Sequence, residues 1–143
     1  MSELFSFSRY NGNISKWDVS NVKNMAEMFF MSDFNKDISD WDVHNVYSMH
    51  AMFEDSYFNQ DISRWDVSNV KYMNNMFCCS RFDGDISNWD VHNVIEMEGM
   101  FYGNSYFDQD ISKWDVSNVE KYNSIFDNSA LRHIYRPMFL NKE

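Results

Sequence analysis

The sequence predicts an α/β solenoid of five stacked units, and three observations carry that prediction. Tryptophan recurs at positions 17, 41, 65, 89 and 114, each time inside the string I-S-x-W-D-V-[SH]-N-V. Within every unit an alternating apolar/polar stretch gives way to apolar residues spaced by three and four. A period of ~20–50 residues belongs to repeat stacks, because one unit cannot bury its apolar face alone.

The elements follow in order along one domain, residues 1–143. M-S-E-L-F at 1–5 aligns with M-A-E-M-F at 25–29, so residues 1–10 read as a partial amino-terminal unit. Five repeats occupy 11–126. In the unit from Phe34 to Phe58, Ile38, Trp41 and Val43 alternate with polar neighbours, which predicts a short strand with Trp and Val inward and Asp outward. Val46, Met49, Met52 and Phe53 then fall on one face of a helix of two to three turns. Ser20-Asn21, His44-Asn45, Ser68-Asn69 and Ser117-Asn118 precede these runs as N-caps. Eight of the eleven methionines lie in the helical stripe (Met25, Met28, Met49, Met52, Met73, Met76, Met97 and Met100), beside Phe29, Phe53, Phe77, Phe101 and Phe126. That stripe reads as core. Tyr122 and Ile125 replace the two Met in the fifth unit, and 127–143 read as a carboxyl-terminal cap. An extra residue in F-Y-G-N-S-Y-F (101–107) falls in a loop, where insertions are tolerated.

Stacked strands would form a parallel sheet at ~4.8 Å spacing. Helices of ~10 Å width behind it would force the strands onto a concave side, unless the helical segments are short or 3₁₀-like. Like residues would then form columns: Trp17, Trp41, Trp65, Trp89 and Trp114 as the main adhesive, with Asn21, Asn45, Asn69, Asn93 and Asn118 beside them.

The unit F-N-x-D-I-S-x-W-D-V-S-N-V-x-x-M-x-x-M-F resembles the roughly 25-residue repeat of the BspA-like leucine-rich-repeat surface proteins. The match runs from residue 1 to about 131, with Trp, Asp, Val, Asn, Met and Phe in register. The resemblance implies an LRR-like α/β solenoid with a role in surface attachment or protein recognition, and a location at the cell surface. It supplies no catalytic residues. The chain opens M-S-E-L-F-S-F-S-R, without the basic start and apolar run of a signal peptide, and has no apolar stretch long enough to span a bilayer.

The net charge of −10 argues against nucleic acid or an anionic membrane as partner and favours a basic one. Nine acidic residues occupy two repeat positions: Asp18, Asp42, Asp66, Asp90 and Asp115 after each Trp, and Asp37, Asp61, Asp85 and Asp110 before I-S. Asx-turns account for them. A row of calcium sites is the alternative, although no D-x-D-x-D-G loop is present and no other cofactor is implied. His44 and His92 would sit ~9–10 Å apart, too far to share a metal. Cys78 and Cys79, the only cysteines, have neither disulfide-framework nor C-x-x-C metal spacing and read as free thiols.

No catalytic motif is present, and repetition offers one environment five times where catalysis needs one unlike constellation. The expectation is a non-enzymatic protein-binding or adhesion module. Its candidate contacts are either the column before each Trp on the concave strand face (Lys16, Asp40, Arg64, Asn88 and Lys113, of alternating charge) or the variable loops, with Tyr57, Tyr102 and Tyr106. The alternative is a structural component that self-associates by end-to-end or lateral stacking.

Overall fold

The computed structural model describes residues 1–139; the last four positions of the expected cap, 140–143, lie outside the described residues. Its units do stack, but not as strands and helices. The α/β solenoid is overturned: among the described residues the one helical element is a 3₁₀ turn, His133–Tyr135. The remaining regular pairing consists of isolated parallel bridges joining Asn24, Ser48, Tyr72, Glu96 and Lys121 in successive coils.

Each expected helix is a run of β-turns. In the coil containing Met49, Met52 N–H donates to Met49 O, Glu54 N–H to Ala51 O and Ser56 N–H to Phe53 O, all spaced by three residues. Ala51 and Asp55, at the third position of two of these turns, have φ of 50° and 53°. A positive φ at that position is what a type II turn demands and what an α-helix forbids. It recurs at Glu3 and Phe7, Glu27 and Met31, Asn75 and Cys79, Gly99 and Gly103, and Ser124 and Asn128. Overlapping β-turns put Met49, Met52 and Phe53 on the inner side, which is why their spacing imitates a helix.

The left-handed residues redirect the backbone. Alternate N–H groups close the turns, and the others point along the stack. Met25, Glu27, Phe29 and Met31 donate to Ser48 O, His50 O, Met52 O and Glu54 O at 2.8–3.0 Å. Met49, Ala51, Phe53 and Asp55 donate onward to Tyr72 O, Asn74 O, Met76 O and Cys78 O. Since Ser48 O and Met49 N belong to one peptide group, each series is a continuous chain of hydrogen bonds through the coils. Such chains polarise their members and strengthen one another. A left-handed non-glycine residue costs about 1–2 kcal/mol. The axial bonds it permits contribute ~0.5–1.5 kcal/mol each. An isolated helix of two turns has too few bonds to overcome its own nucleation.

Among the described residues the Trp-Asp-Val segments are not paired as strands. Trp41 N–H closes a turn onto Ile38 O, and Val46 N–H one onto Val43 O. Trp41 and Val43 are buried and Asp42 is exposed, so the inside/outside alternation holds without a ladder. Among the described residues no helix follows the Ser-Asn and His-Asn pairs, so they have no helix N-terminus to cap. The width mismatch that predicted a concave strand face does not arise either.

The aromatic adhesive is phenylalanine rather than tryptophan. Phe5, Phe29, Phe53, Phe77, Phe101 and Phe126 stack in one column with ring centroids 5.5–6.1 Å apart. Phe34, Phe58, Phe82 and Phe107 form a second column at 6.2–6.3 Å. The columns interlock at 4.2–4.4 Å within each coil. Stacked pairs of this kind add ~0.5–1.5 kcal/mol each beyond burial. Each Trp packs against the Phe column instead, as Trp65 does on Phe53 at 6.4 Å. Its main tie is polar: the indole N–H groups of Trp41, Trp65, Trp89 and Trp114 donate to Ile14, Ile38, Ile62 and Ile86 O of the preceding coil.

The asparagine column also bonds to backbone. Asn45, Asn69, Asn93 and Asn118 donate through Nδ2 to Ser20, His44, Ser68 and His92 O. Asn21 lies in the first unit, where its amide reaches only Ser20 Oγ at 3.4 Å.

Candidate functional site

Two surfaces carry the residues singled out from sequence. The first holds the column before each Trp. Arg64 Nη2 meets Asp40 Oδ1 at 3.0 Å, an exposed pair bridging adjacent coils. Asn88 and Lys113 line a shallow open pocket of ≈ 270 Å³ with Asp85, Ser87, Gln109 and Asp110. Lys16 is exposed beside Asp37, whose carboxyl is held low first by hydrogen bonds from Ser39 and then by Arg64 and Lys16. Exposed pairs of this kind contribute at most ~1 kcal/mol to stability.

The acidic positions beside this column are turn-formers. Asp37, Asp61, Asp85 and Asp110 each accept the N–H two residues on, at 2.9–3.0 Å. Asn13 takes the same part in the first unit, bonding Ser15 N–H. Asp18, Asp42, Asp66, Asp90 and Asp115 do likewise after each Trp. These bonds favour the ionised carboxylate. Ser117, with a smaller contribution from His92, lowers Asp115 to about 2. His44 Nδ1 lies 2.6 Å from Asp42, and His92 Nδ1 lies 2.9 Å from Asp115 of the next coil. Among the described residues no group of three or more His, Cys, Asp or Glu side chains is arranged to hold a metal ion.

The second surface is the edge where the Met-Phe turns leave the core. Phe7, Met31, Tyr57, Tyr102 and Tyr106 stand there 40–70% exposed. Arg81 lies over the Tyr57 ring at 4.3 Å, and Phe7 meets Phe30 edge-on at 5.2 Å. Among the described residues no hydrogen bond, ion pair or ring contact joins this edge to the Lys16–Lys113 column, so these are two surfaces rather than one site.

What fastens the edge was missed from sequence. Ser32, Ser56 and Ser80 are buried, and each hydroxyl accepts the N–H two residues on, that of Phe34, Phe58 or Phe82. Asn104 takes their place in the unit with the extra residue. Its Oδ1 accepts N–H from Tyr106 and Phe107, and its Nδ2 reaches Phe77 O, Ser80 Oγ and Phe82 O. The longer amide spans the added length and keeps Phe107 in its column. The signal was visible as a Ser three residues after Phe29, Phe53, Phe77 and Phe126, with Asn104 at that position after Phe101.

The family described as "Mycoplasma protein of unknown function, DUF285" matches residues 1–79 and, again, 57–133. No curated protein and no solved structure matches the chain. Two overlapping matches fit a sequence whose period slides onto itself, and together they span nearly the whole chain. The chain belongs to this repeat family, described as Mycoplasma protein of unknown function, DUF285.

Proposed function

We propose that the chain is a non-enzymatic protein-recognition or adhesion module whose partner docks on the variable edge. The observation that carries this reading is the row of exposed aromatic and apolar side chains, Phe7, Met31, Tyr57, Tyr102 and Tyr106, on positions that differ from coil to coil. Tyr supplies broad contact area with little rotamer entropy to lose, and such residues dominate contact energetics. The neighbouring coil interior repeats, so it cannot discriminate between partners. The net charge of −10 adds a preference for a basic partner surface. Sequence resemblance to BspA-like surface proteins supports attachment as the setting.

The test replaces Tyr57, Tyr102 and Tyr106 together with Ser and compares retention of binding proteins with the parent chain. Loss of the partners bound by the parent, with melting unchanged, is the expected result. Retention of every partner overturns the edge reading, and a parallel Arg64→Ala/Lys113→Ala chain tells whether the charged column holds them instead.

A second reading, end-to-end stacking in a larger assembly, is favoured by the coil nearest the amino terminus. Trp17 is 41% exposed there, against 4–6% for the other four, and Leu4 is 51% exposed. Sedimentation across a hundredfold concentration range tests it: mass that rises with concentration and falls back in Trp17→Ser supports stacking, and a constant monomer mass refutes it.

A further inference from the structure

The two cysteines remain unused by either reading, although the fold brings them together in a specific way. Cys78 Sγ and Cys79 Sγ lie 3.7 Å apart. Consecutive side chains in an extended segment point to opposite sides. Here Cys79 has φ of 53°, one of the left-handed positions, and the bend turns both thiols to one side. Cys79 is exposed while Cys78 is buried. The Cys79 sulphur fills a notch under Gly103, where a Cβ would come within 2.9 Å of it. The backbone on both sides is pinned: Cys79 N–H donates to Tyr102 O, and Cys78 O accepts from Asp55 N–H.

Three chemistries are open to such a pair, and the geometry separates them. A direct disulfide needs sulphurs ~2.05 Å apart and Cα atoms at least ~4.4 Å apart. Adjacent residues have Cα atoms ~3.8 Å apart, so that bond is strained and easily reduced. Zinc takes about four deprotonated or neutral ligands. Among the described residues no third and fourth ligand stand by. Burial, then the neighbouring Cys79 thiol and the carboxylates of Glu54 and Asp55, also push the Cys78 thiol up and keep it protonated. The third chemistry is a soft atom bridging both sulphurs. Bonds of about 2.3 Å at a roughly tetrahedral angle set the sulphurs near 3.8 Å apart.

We infer that Cys78 and Cys79 form a dithiol site for a three-coordinate soft electrophile, with trivalent organoarsenicals as the ligand class. Such a centre carries its own third substituent and requires only two protein sulphurs. The step is a condensation: an arsenic(III) oxide R–As=O takes up both thiols, two As–S bonds form, the two S–H bonds break, and the two protons leave with the oxide oxygen as one water. No electron is transferred, and neither sulphur has to ionise beforehand.

The experiment uses the full chain and phenylarsine oxide, read by intact mass. One arsenical per chain is expected, stable to excess monothiol and removed by a 1,2-dithiol, the mark of two-sulphur chelation. Cys79→Ser and Cys78→Ser are each expected to abolish monothiol-resistant adduct, with a thermal melt confirming that each variant folds. Because Cys79 is exposed, Cys79→Ser is the variant that keeps the test decisive if loss of Cys78 disturbs packing. An adduct on the parent chain that monothiol strips, or one that survives in Cys79→Ser, overturns the inference.

Discussion

Replacing Trp by Phe at two equivalent positions separates the axial indole bond from the ring itself. Trp65 is 4% exposed and its N–H donates to Ile38 O at 3.1 Å. Trp65→Phe removes one of the two donors to that carbonyl, which keeps the Trp41 N–H, so the loss is that of one hydrogen bond, ~0.5–1.5 kcal/mol. The smaller ring adds about 1 kcal/mol for the void left beside Phe53. Trp17 has neither feature: it is 41% exposed, rests tilted on Phe5 at 5.7 Å, and has no acceptor for its N–H among the described residues. Trp17→Phe is therefore expected to cost under ~0.5 kcal/mol. For a chain of this size the difference, about 1–2 kcal/mol, corresponds to a melting-temperature gap of roughly 3–8 °C. Calorimetry, with urea unfolding followed by the remaining Trp fluorescence, measures both variants on the same scale. Equal losses at the two positions would refute the account of the Trp column as a series of inter-coil hydrogen bonds.

Acid should weaken the stack through its Asx-turns. Hydrogen bonds lower Asp18, Asp37, Asp42, Asp61, Asp66, Asp85 and Asp110 below the ordinary carboxylate value, and Asp115 to about 2. A depressed folded-state pKa contributes stability above the unfolded value of ~3.9 and loses it as pH falls toward the folded value. Melting temperature should hold between pH 7 and 5 and drop from about pH 4 to 2, and Asp→Asn at 37, 61 and 110 should flatten the drop while keeping the turns, as Asn13 already does. A profile unchanged by those three substitutions would remove the Asx-turns from the explanation. Asn104→Ala should cost ~1–3 kcal/mol by leaving buried N–H and C=O groups unpaired. Asn104→Ser should recover little of it, because the shorter side chain cannot span the extra residue; a Ser variant as stable as the parent in urea unfolding would contradict the spanning role.

The repeat, the inward-facing residues and the outward Asp were all legible in the sequence; the backbone path was not. Met49, Met52 and Phe53 have a spacing shared by an α-helix and by overlapping β-turns, so periodicity alone cannot choose between them. The deciding sign is a left-handed residue every fourth position, and most of those positions hold residues that do not advertise it: Glu27, Met31, Ala51 and Asp55. Only in one unit does the sequence spell it out, with Gly99 and Gly103 four apart. The Phe34–Phe107 column was visible as a repeated residue but had no partner until the turns brought it 4.2–4.4 Å from the other Phe column. On the candidate surfaces, alternation of charge was enough to place Asp40 beside Arg64. The separation of that column from the Tyr57–Tyr106 edge depends on where each coil turns, which single-residue patterns do not encode.

The axial peptide groups of the Met-Phe turns point one way, with N–H toward the following coil and C=O toward the preceding one, whereas Tyr47, Tyr57, Lys71, Arg81, Ile95 and Glu120 donate backward to the preceding coil. Each carries a dipole of ~3.5 D. Aligned through the coils, those of the Met-Phe turns give that side of the stack a dipole whose positive end lies toward the carboxyl terminus, the reverse of an α-helix. A charged group approaching that side of the stack thus meets a field with a direction, superposed on the field of the net charge of −10.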